Sequence, residues 1–227
     1  MGPHGEAILL VVSSEARAAV FGRNEQPGWA SFPKAKTDTP YSARVLIHDE
    51  TDVHSVEIAG ETRAFPRVAL LNDDEILLAG TRCRRFADGT HELNGHVYGL
   101  DGQLRRQFLL GDGIEHIATD VRGEIWVGYF DEGVFGNYGW GAMTTSEEQE
   151  SPVGWPGLVR FDAEGNMTWR YEPPEGNWHH RRLLRAQCRA ERDVDLLLLI
   201  LPTGQDQSGR NRKRLDDTSV GRKGYRR

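Results

Sequence analysis

Two pairs of adjacent residues near the centre of the chain, three carboxylates and one imidazole, are the side chains best suited to chemistry. Glu115 and His116 are adjacent, and Asp131 and Glu132 follow the next apolar run. Carboxylates and an imidazole that converge on one point can bind a divalent metal ion or act as general acid and base. The alternative is that all four are turn and rim residues, with His116 satisfied locally. We favour the alternative because no second histidine-rich unit repeats the spacing.

An aromatic, glycine-rich loop near these acids could bind a flat ligand. It contains Phe135, Tyr138 and Trp140, and Tyr129 precedes it at the end of an apolar run. One interpretation is a stacking platform for a sugar or another planar ligand. The other, which we prefer, is a loop that wraps around and caps its own sheet. The glycines do not form a phosphate loop, since no Gly-Lys-Ser or Gly-Lys-Thr follows them.

Motifs that would identify an enzyme are not found in the sequence. There is no nucleophile elbow, no HExxH and no zinc-ligand spacing. Only Cys83 and Cys188 are present, which argues against a disulfide framework and favours a reducing, cytoplasmic location. Cys83 lacks a partner at ligand spacing, so we expect a buried or inert thiol. No apolar run approaches the roughly 20 residues that span a membrane, so we expect a soluble protein.

Short apolar runs separated by turns predict an all-β fold. The runs occur in pairs joined by sequences rich in Asp, Gly and Asn, and no sustained helical period occurs before residue 178. The predicted strand pairs are 7–12 with 18–21, 43–48 with 53–58, 67–71 with 75–80, 96–100 with 103–110, 114–119 with 124–130, and 157–161 with 166–171.

An internal repeat predicts how these strands are arranged. Residues 66–80 align with residues 115–129 at a constant offset of 49, and residues 98–102 recur in part at 160–165. Four strands in every stretch of about 40 to 50 residues are typical of a β-propeller blade. At this repeat length, residues 1–177 would form about 3.6 blades of an incomplete propeller.

The repeated unit also resembles known propellers. Residues 120–128 follow the pattern D-x-x-G-x-I-W-V-G, and with residues 157–161 they resemble the repeat of sensor-type and NHL-like propellers. Residues 7–174 resemble a family of uncharacterised actinobacterial propeller-like proteins, most specifically at 111–114 and 126–137. The resemblance implies the fold and implies no activity.

Charge divides the chain into two parts. Residues 178–227 contain 13 of the 28 basic residues and 6 of the 34 acidic ones, a net charge of +7. Residues 1–177 keep the other 15 and 28, a net charge of −13. Such a change predicts a boundary, with propeller blades in residues 1–177 and a basic tail in residues 178–227.

Three interpretations of the basic tail remain open. It is an arm that binds nucleic acid or an acidic surface, an amphipathic helix around residues 181–201, or a segment translated out of frame. A one-base shift of codons permitted for residues 180–189 gives IDDCYALNV, which resembles the next copy of the repeat. We favour this third interpretation, in which the tail is disordered or out of frame and residues 1–177 are part of a longer propeller.

The sequence therefore predicts a non-catalytic scaffold that binds a small molecule or a protein on the axial face of a propeller. A metal-assisted lyase or hydrolase at Glu115, His116, Asp131 and Glu132 is the alternative, and a divalent metal is then its only expected cofactor. A nucleic-acid partner is expected only if the basic tail is genuine, because residues 1–177 are acidic.

Overall fold

The computed structural model describes residues 2–24, 27–28, 31–49, 51–72, 74–141 and 151–172. Within them the fold is mostly β, in antiparallel sheets, as predicted. The predicted basic tail lies outside the described residues. The elements are β1 (Ala7–Val12), α1 (Ser14–Val20), β2 (Arg23–Asn24), β3 (Phe32–Pro33), β4 (Lys36–His48), β5 (Val53–Arg63), β6 (Pro66–Leu71), β7 (Glu75–Gly80), β8 (Gly95–Gly99), β9 (Leu104–Phe108), β10 (Ile114–Thr119), β11 (Ile125–Tyr129), α2 (Asp131–Phe135), β12 (Leu158–Phe161) and β13 (Met167–Arg170).

The first sheet has three strands in the order β1-β4-β5. The prediction of a strand over residues 18–21 was wrong, because residues 14–20 form helix α1 and β1 pairs with β4 instead. The helix begins at Ser13, whose hydroxyl accepts a hydrogen bond from Ala16 N at 3.2 Å. Serine is a favourable helix N-cap, and the helix contains Glu, Ala and Arg, which have high helix propensity. The cap and these propensities favour a helix over the strand that the apolar residues alone suggested.

The second and third sheets are four-stranded meanders, β6-β7-β8-β9 and β10-β11-β12-β13. Their first hairpins have the same register. Val68 pairs with Leu78 in the second sheet, and Ile117 pairs with Val127 in the third sheet. Each residue of the second pair follows its counterpart at the repeat offset of 49. The predicted repeat is therefore confirmed as a repeated pair of strands. The two units also touch directly: the Thr119 hydroxyl donates a hydrogen bond to the Leu70 carbonyl at 2.6 Å.

The three larger sheets form a stack in which the middle sheet is covered on both faces. One cluster of buried side chains joins it to the first sheet and includes Ile58 and Leu78. A second cluster joins it to the third sheet and includes Leu77 and Val127. A sheet buried on both faces carries continuous apolar runs, which is why β7 does not alternate between apolar and polar residues.

Aspartates close several of the predicted turns. Asp120 Oδ1 accepts the N–H groups of Arg122 and Glu124 at 2.9 and 3.1 Å. Asp162 Oδ1 does the same for Glu164 and Asn166 at 3.0 and 2.8 Å. These side-chain hydrogen bonds satisfy backbone N–H groups within the turn. The aspartate of the Asp-x-x-Gly pattern therefore stabilises the turn itself.

Candidate functional site

A cavity of about 340 Å³ lies at the edge where β6 and β10 begin. Strands β7 and β11 end at the same edge because the hairpins are antiparallel. We call this cavity the phenylalanine pocket. Its wall contains three phenylalanine rings, two arginines and one carboxylate: Phe21, Phe65, Phe130, Arg23, Arg67 and Glu115.

The connection between β5 and β6 places Phe65 in the pocket wall. Phe65 has a φ of +48°, a left-handed backbone conformation that is unfavourable for a bulky residue. Its N–H donates to the Val20 carbonyl at 2.9 Å, and its ring meets that of Phe21 edge to face at 5.4 Å. The Arg23 guanidinium lies 5.5 Å from the Phe65 ring centre. Helix α1 and the β2–β3 ribbon thus hold Phe65 in a costly conformation.

Two cations and one anion border these rings. The Arg23 guanidinium also donates to the Ser31 carbonyl at 3.1 Å. Arg67 is exposed, and among the described residues no carboxylate lies within ion-pair distance of it. Glu115 is about one-third exposed, and its Oε1 lies 3.8 Å from His116 Nε2. The pocket therefore combines an apolar, aromatic wall with a positive border.

The two residue pairs predicted as one site have different surroundings. Glu115 lines the phenylalanine pocket beside His116. Glu132 instead accepts a hydrogen bond from Arg82 Nη1 at 3.1 Å, and Asp131 is exposed at the start of α2. In the described part of the chain, no group of three or more His, Cys, Asp or Glu side chains has an arrangement that could hold a metal ion.

Arg82 is one of the residues that the sequence analysis did not identify. Its side chain is completely buried, and it forms a two-pronged pair with Asp112, with distances of 2.9 and 3.0 Å. Asp112 also accepts the Cys83 N–H at 2.8 Å. Burial raises the pKa of the Asp112 carboxyl, although the Arg82 guanidinium opposes this effect. No motif links positions so far apart in the chain, so only the fold brings this pair together.

The aromatic residues predicted as a stacking loop divide into buried and exposed ones. Tyr129 and Trp140 are 1% and 3% exposed, and they donate to the Leu110 and Cys83 carbonyls. They are core residues and offer no free ring face. Tyr138 lies under the Arg82 guanidinium at 4.3 Å and donates to the Pro33 carbonyl at 3.0 Å. Phe135 alone of the four is largely exposed.

Cys83 is fully buried, as predicted, and its thiol donates to the Glu92 carbonyl at 3.3 Å. Burial raises the pKa of this thiol, with further contributions from the carboxylates of Glu92 and Asp112. A thiol held in its neutral form is a poor nucleophile. Cys83 is therefore a packed thiol in the core.

Across the described ranges, no helix is long and apolar enough to cross a membrane. Comparisons of the chain with protein-family models, with curated proteins and with solved structures found no match in any of the three.

Proposed function

We propose that this chain is a non-catalytic, propeller-like protein that binds a small anion with an apolar ring in the phenylalanine pocket. The propeller arrangement is supported by the repeated four-stranded unit and by the contacts of the first strands, since β1 touches β6 and β6 touches β10. In a propeller the first strand of each blade lies nearest the axis. The phenylalanine pocket then lies on the axial face.

The observation that carries the proposal is the combination of aromatic rings and unneutralised positive charge in one cavity. A volume of about 340 Å³ is at the lower end of the range for small-molecule sites. Phe21, Phe65 and Phe130 offer apolar contact to a ring, and the strained backbone of Phe65 is of the kind that persists at ligand sites.

Charge selects the ligand class. Arg23 and Arg67 outnumber Glu115 at the border of the pocket. A carboxylate or sulfonate can pair with the Arg67 guanidinium, which has no carboxylate partner among the described residues. The predicted ligand is therefore an aromatic or cyclic acid. A neutral ring would leave this charge without a partner.

Titration calorimetry with 1-naphthoate tests the proposal. We expect binding of one naphthoate per chain and at least about ten-fold weaker binding of uncharged 1-naphthalenemethanol, a difference of about 1.4 kcal/mol. Arg67→Glu should weaken naphthoate binding by at least the same factor. Arg122→Glu is the matched control, because Arg122 is exposed in the β10–β11 turn, away from the pocket.

Equal binding by the wild type and the Arg67→Glu variant would overturn the proposal. So would equal affinity for the acid and the alcohol, because charge would then play no part in selection.

A further inference from the structure

A second cavity, of about 390 Å³, lies between β5 and the β8–β9 hairpin. In contrast to the phenylalanine pocket, most of its wall is polar. We call it the arginine–histidine pocket and define it by six of its lining residues: Thr62, Arg63, His96, Tyr98, Gln103 and Gln107. Nothing in the proposed function uses it.

Arg63 is the central group of this pocket. It is 7% exposed, and its Nε donates to His96 Nε2 at 3.0 Å, a nitrogen that its Nη2 also contacts. Within the described residues, no carboxylate lies within ion-pair distance of the Arg63 guanidinium. A buried guanidinium normally pairs with an anion, so a histidine nitrogen is an unusual principal partner.

The nearest buried carboxylate, Glu61, is already satisfied on the far side. Its Oε1 accepts the N–H groups of Thr62 and Arg63 at 2.6 and 2.7 Å. Its Oε2 accepts the Tyr98 hydroxyl at 2.9 Å and lies 3.5 Å from His96 Nδ1. Glu61 does not line the pocket. Its negative charge is therefore directed away from the cavity that Arg63 faces.

The hydrogen bonds also orient His96. Its Nε2 faces the Arg63 guanidinium and its Nδ1 faces Glu61. The ring thereby links Glu61 to the guanidinium without neutralising it. The pocket presents the Arg63 guanidinium, the amide groups of Gln103 and Gln107 and the Thr62 hydroxyl. One carboxylate, Glu57, also lines it, and that carboxylate is paired with Arg44 at 2.6 Å.

We infer that the arginine–histidine pocket binds a tetrahedral oxyanion, a phosphate or sulfate group, on the guanidinium of Arg63. The planar fork of Arg suits two oxygens of such a group, and the amides of Gln103 and Gln107 can donate to the others. The cavity is larger than a bare ion needs, so the group can belong to a small organic molecule.

Calorimetric titration of the full chain with inorganic phosphate, at constant ionic strength set with NaCl, tests the inference. Gln107→Glu places a carboxylate in the pocket at an exposed position of β9 and leaves the buried network untouched. It should weaken phosphate binding at least ten-fold. Met167→Glu adds the same charge at an exposed position of β13 in another sheet and should leave binding unchanged. Arg63→Lys, which lacks the planar fork of the guanidinium, should also weaken phosphate binding relative to the wild type and to Met167→Glu.

A parallel titration with glycerol phosphate distinguishes the two sources of the oxyanion. Tighter binding of the ester than of inorganic phosphate identifies an organic phosphate as the ligand, and tighter binding of the inorganic ion identifies the free ion. The inference is overturned if neither titrant binds, or if Gln107→Glu and Met167→Glu bind phosphate alike.

Discussion

The guanidinium of Arg82 makes the most demanding ion pair in the described part of the chain, because it is completely buried. Asp112 supplies its two-pronged partner, and Glu132 adds a third contact from α2. Removing one partner of a buried pair leaves the other charge without compensation, at a cost of about 3–5 kcal/mol. The pair thus connects the segment after β7 to the start of β10.

We expect Asp112→Asn to lower the free energy of unfolding by about 3 kcal/mol, because the amide cannot neutralise Arg82. Urea denaturation at neutral pH measures the change. Glu132→Gln is the control, and because the Glu132 side chain is 23% exposed it should cost less than about 1 kcal/mol. Equal losses for the two variants would contradict a dominant role for Asp112.

The carboxylate of Glu61 predicts a pH dependence of stability. Burial opposes its ionisation, but the hydrogen bond and charge interaction with His96, together with hydrogen bonds from Arg63 N and Tyr98, outweigh burial and lower the pKa to about 2. A pKa below the unfolded value of about 4.3 means that the native state holds this proton less tightly than the unfolded state does. The stabilisation is therefore complete above about pH 5 and is lost as the pH falls towards 2.

We expect this one group to remove about 3 kcal/mol of stability between pH 5 and pH 2. Urea denaturation of the wild type and of Glu61→Gln across this range isolates it, because the other carboxylates are common to both proteins. The stability difference between them should shrink as the pH falls. Parallel curves would mean that the Glu61 pKa is not depressed.

Among the secondary-structure elements, the repeated strand pairs were predicted from the sequence, whereas helix α1 was not. The constant offset between the repeated segments encodes strand pairing, and the register Val68–Leu78 recurs as Ile117–Val127. Helix α1 was missed because the apolar residues 18–21 look like a strand when the Ser13 cap is not weighed. Propensity over so short a stretch is a weak guide.

The candidate site was predictable only in part. Glu115, one of the predicted residues, lines the phenylalanine pocket. Phe21 and Phe65 were not predicted, because they reach the pocket through the helix and the tight β5–β6 connection. The Arg63–His96 contact joins residues far apart in the chain. Such pairs depend on how sheets stack, which periodicity does not specify.

The close approach of α2 to the start of β10 gives an element-scale prediction. Gly113 has a φ of +72°, and an added Cβ would collide with the backbone of Gly133 in α2. We expect Gly113→Ala to destabilise the protein by about 1–3 kcal/mol more than Gly60→Ala does. Gly60 has a similar φ of +73° but open space around it, so it isolates the backbone cost of about 1 kcal/mol. Thermal denaturation followed by circular dichroism compares the two variants. Equal losses of stability would show that α2 moves away from the added methyl group without an energetic cost.

Within the described residues, the middle sheet joins the other two large sheets. Each face of that sheet supplies one of the two large buried clusters, so the first and third sheets do not need to touch each other to be coupled. Removing either neighbour would expose one apolar face of β7 and β8 to water. We therefore expect the three sheets to unfold together.

Ile58→Ala tests this cooperativity from the first sheet. Ile58 is fully buried against the middle sheet, and its truncation should cost about 3 kcal/mol. Four of the six tryptophans occur between residues 126 and 169, around the third sheet. If the sheets unfold as one unit, the variant lowers the urea midpoint of tryptophan fluorescence as much as that of circular dichroism.

Leu9→Ala is the control. Leu9 is 59% exposed on β1, so this variant should change the free energy of unfolding by less than about 0.5 kcal/mol. A fluorescence midpoint that stays at the wild-type value while circular dichroism shifts would show that the third sheet is stable on its own, and the stack would then be an assembly of independent units.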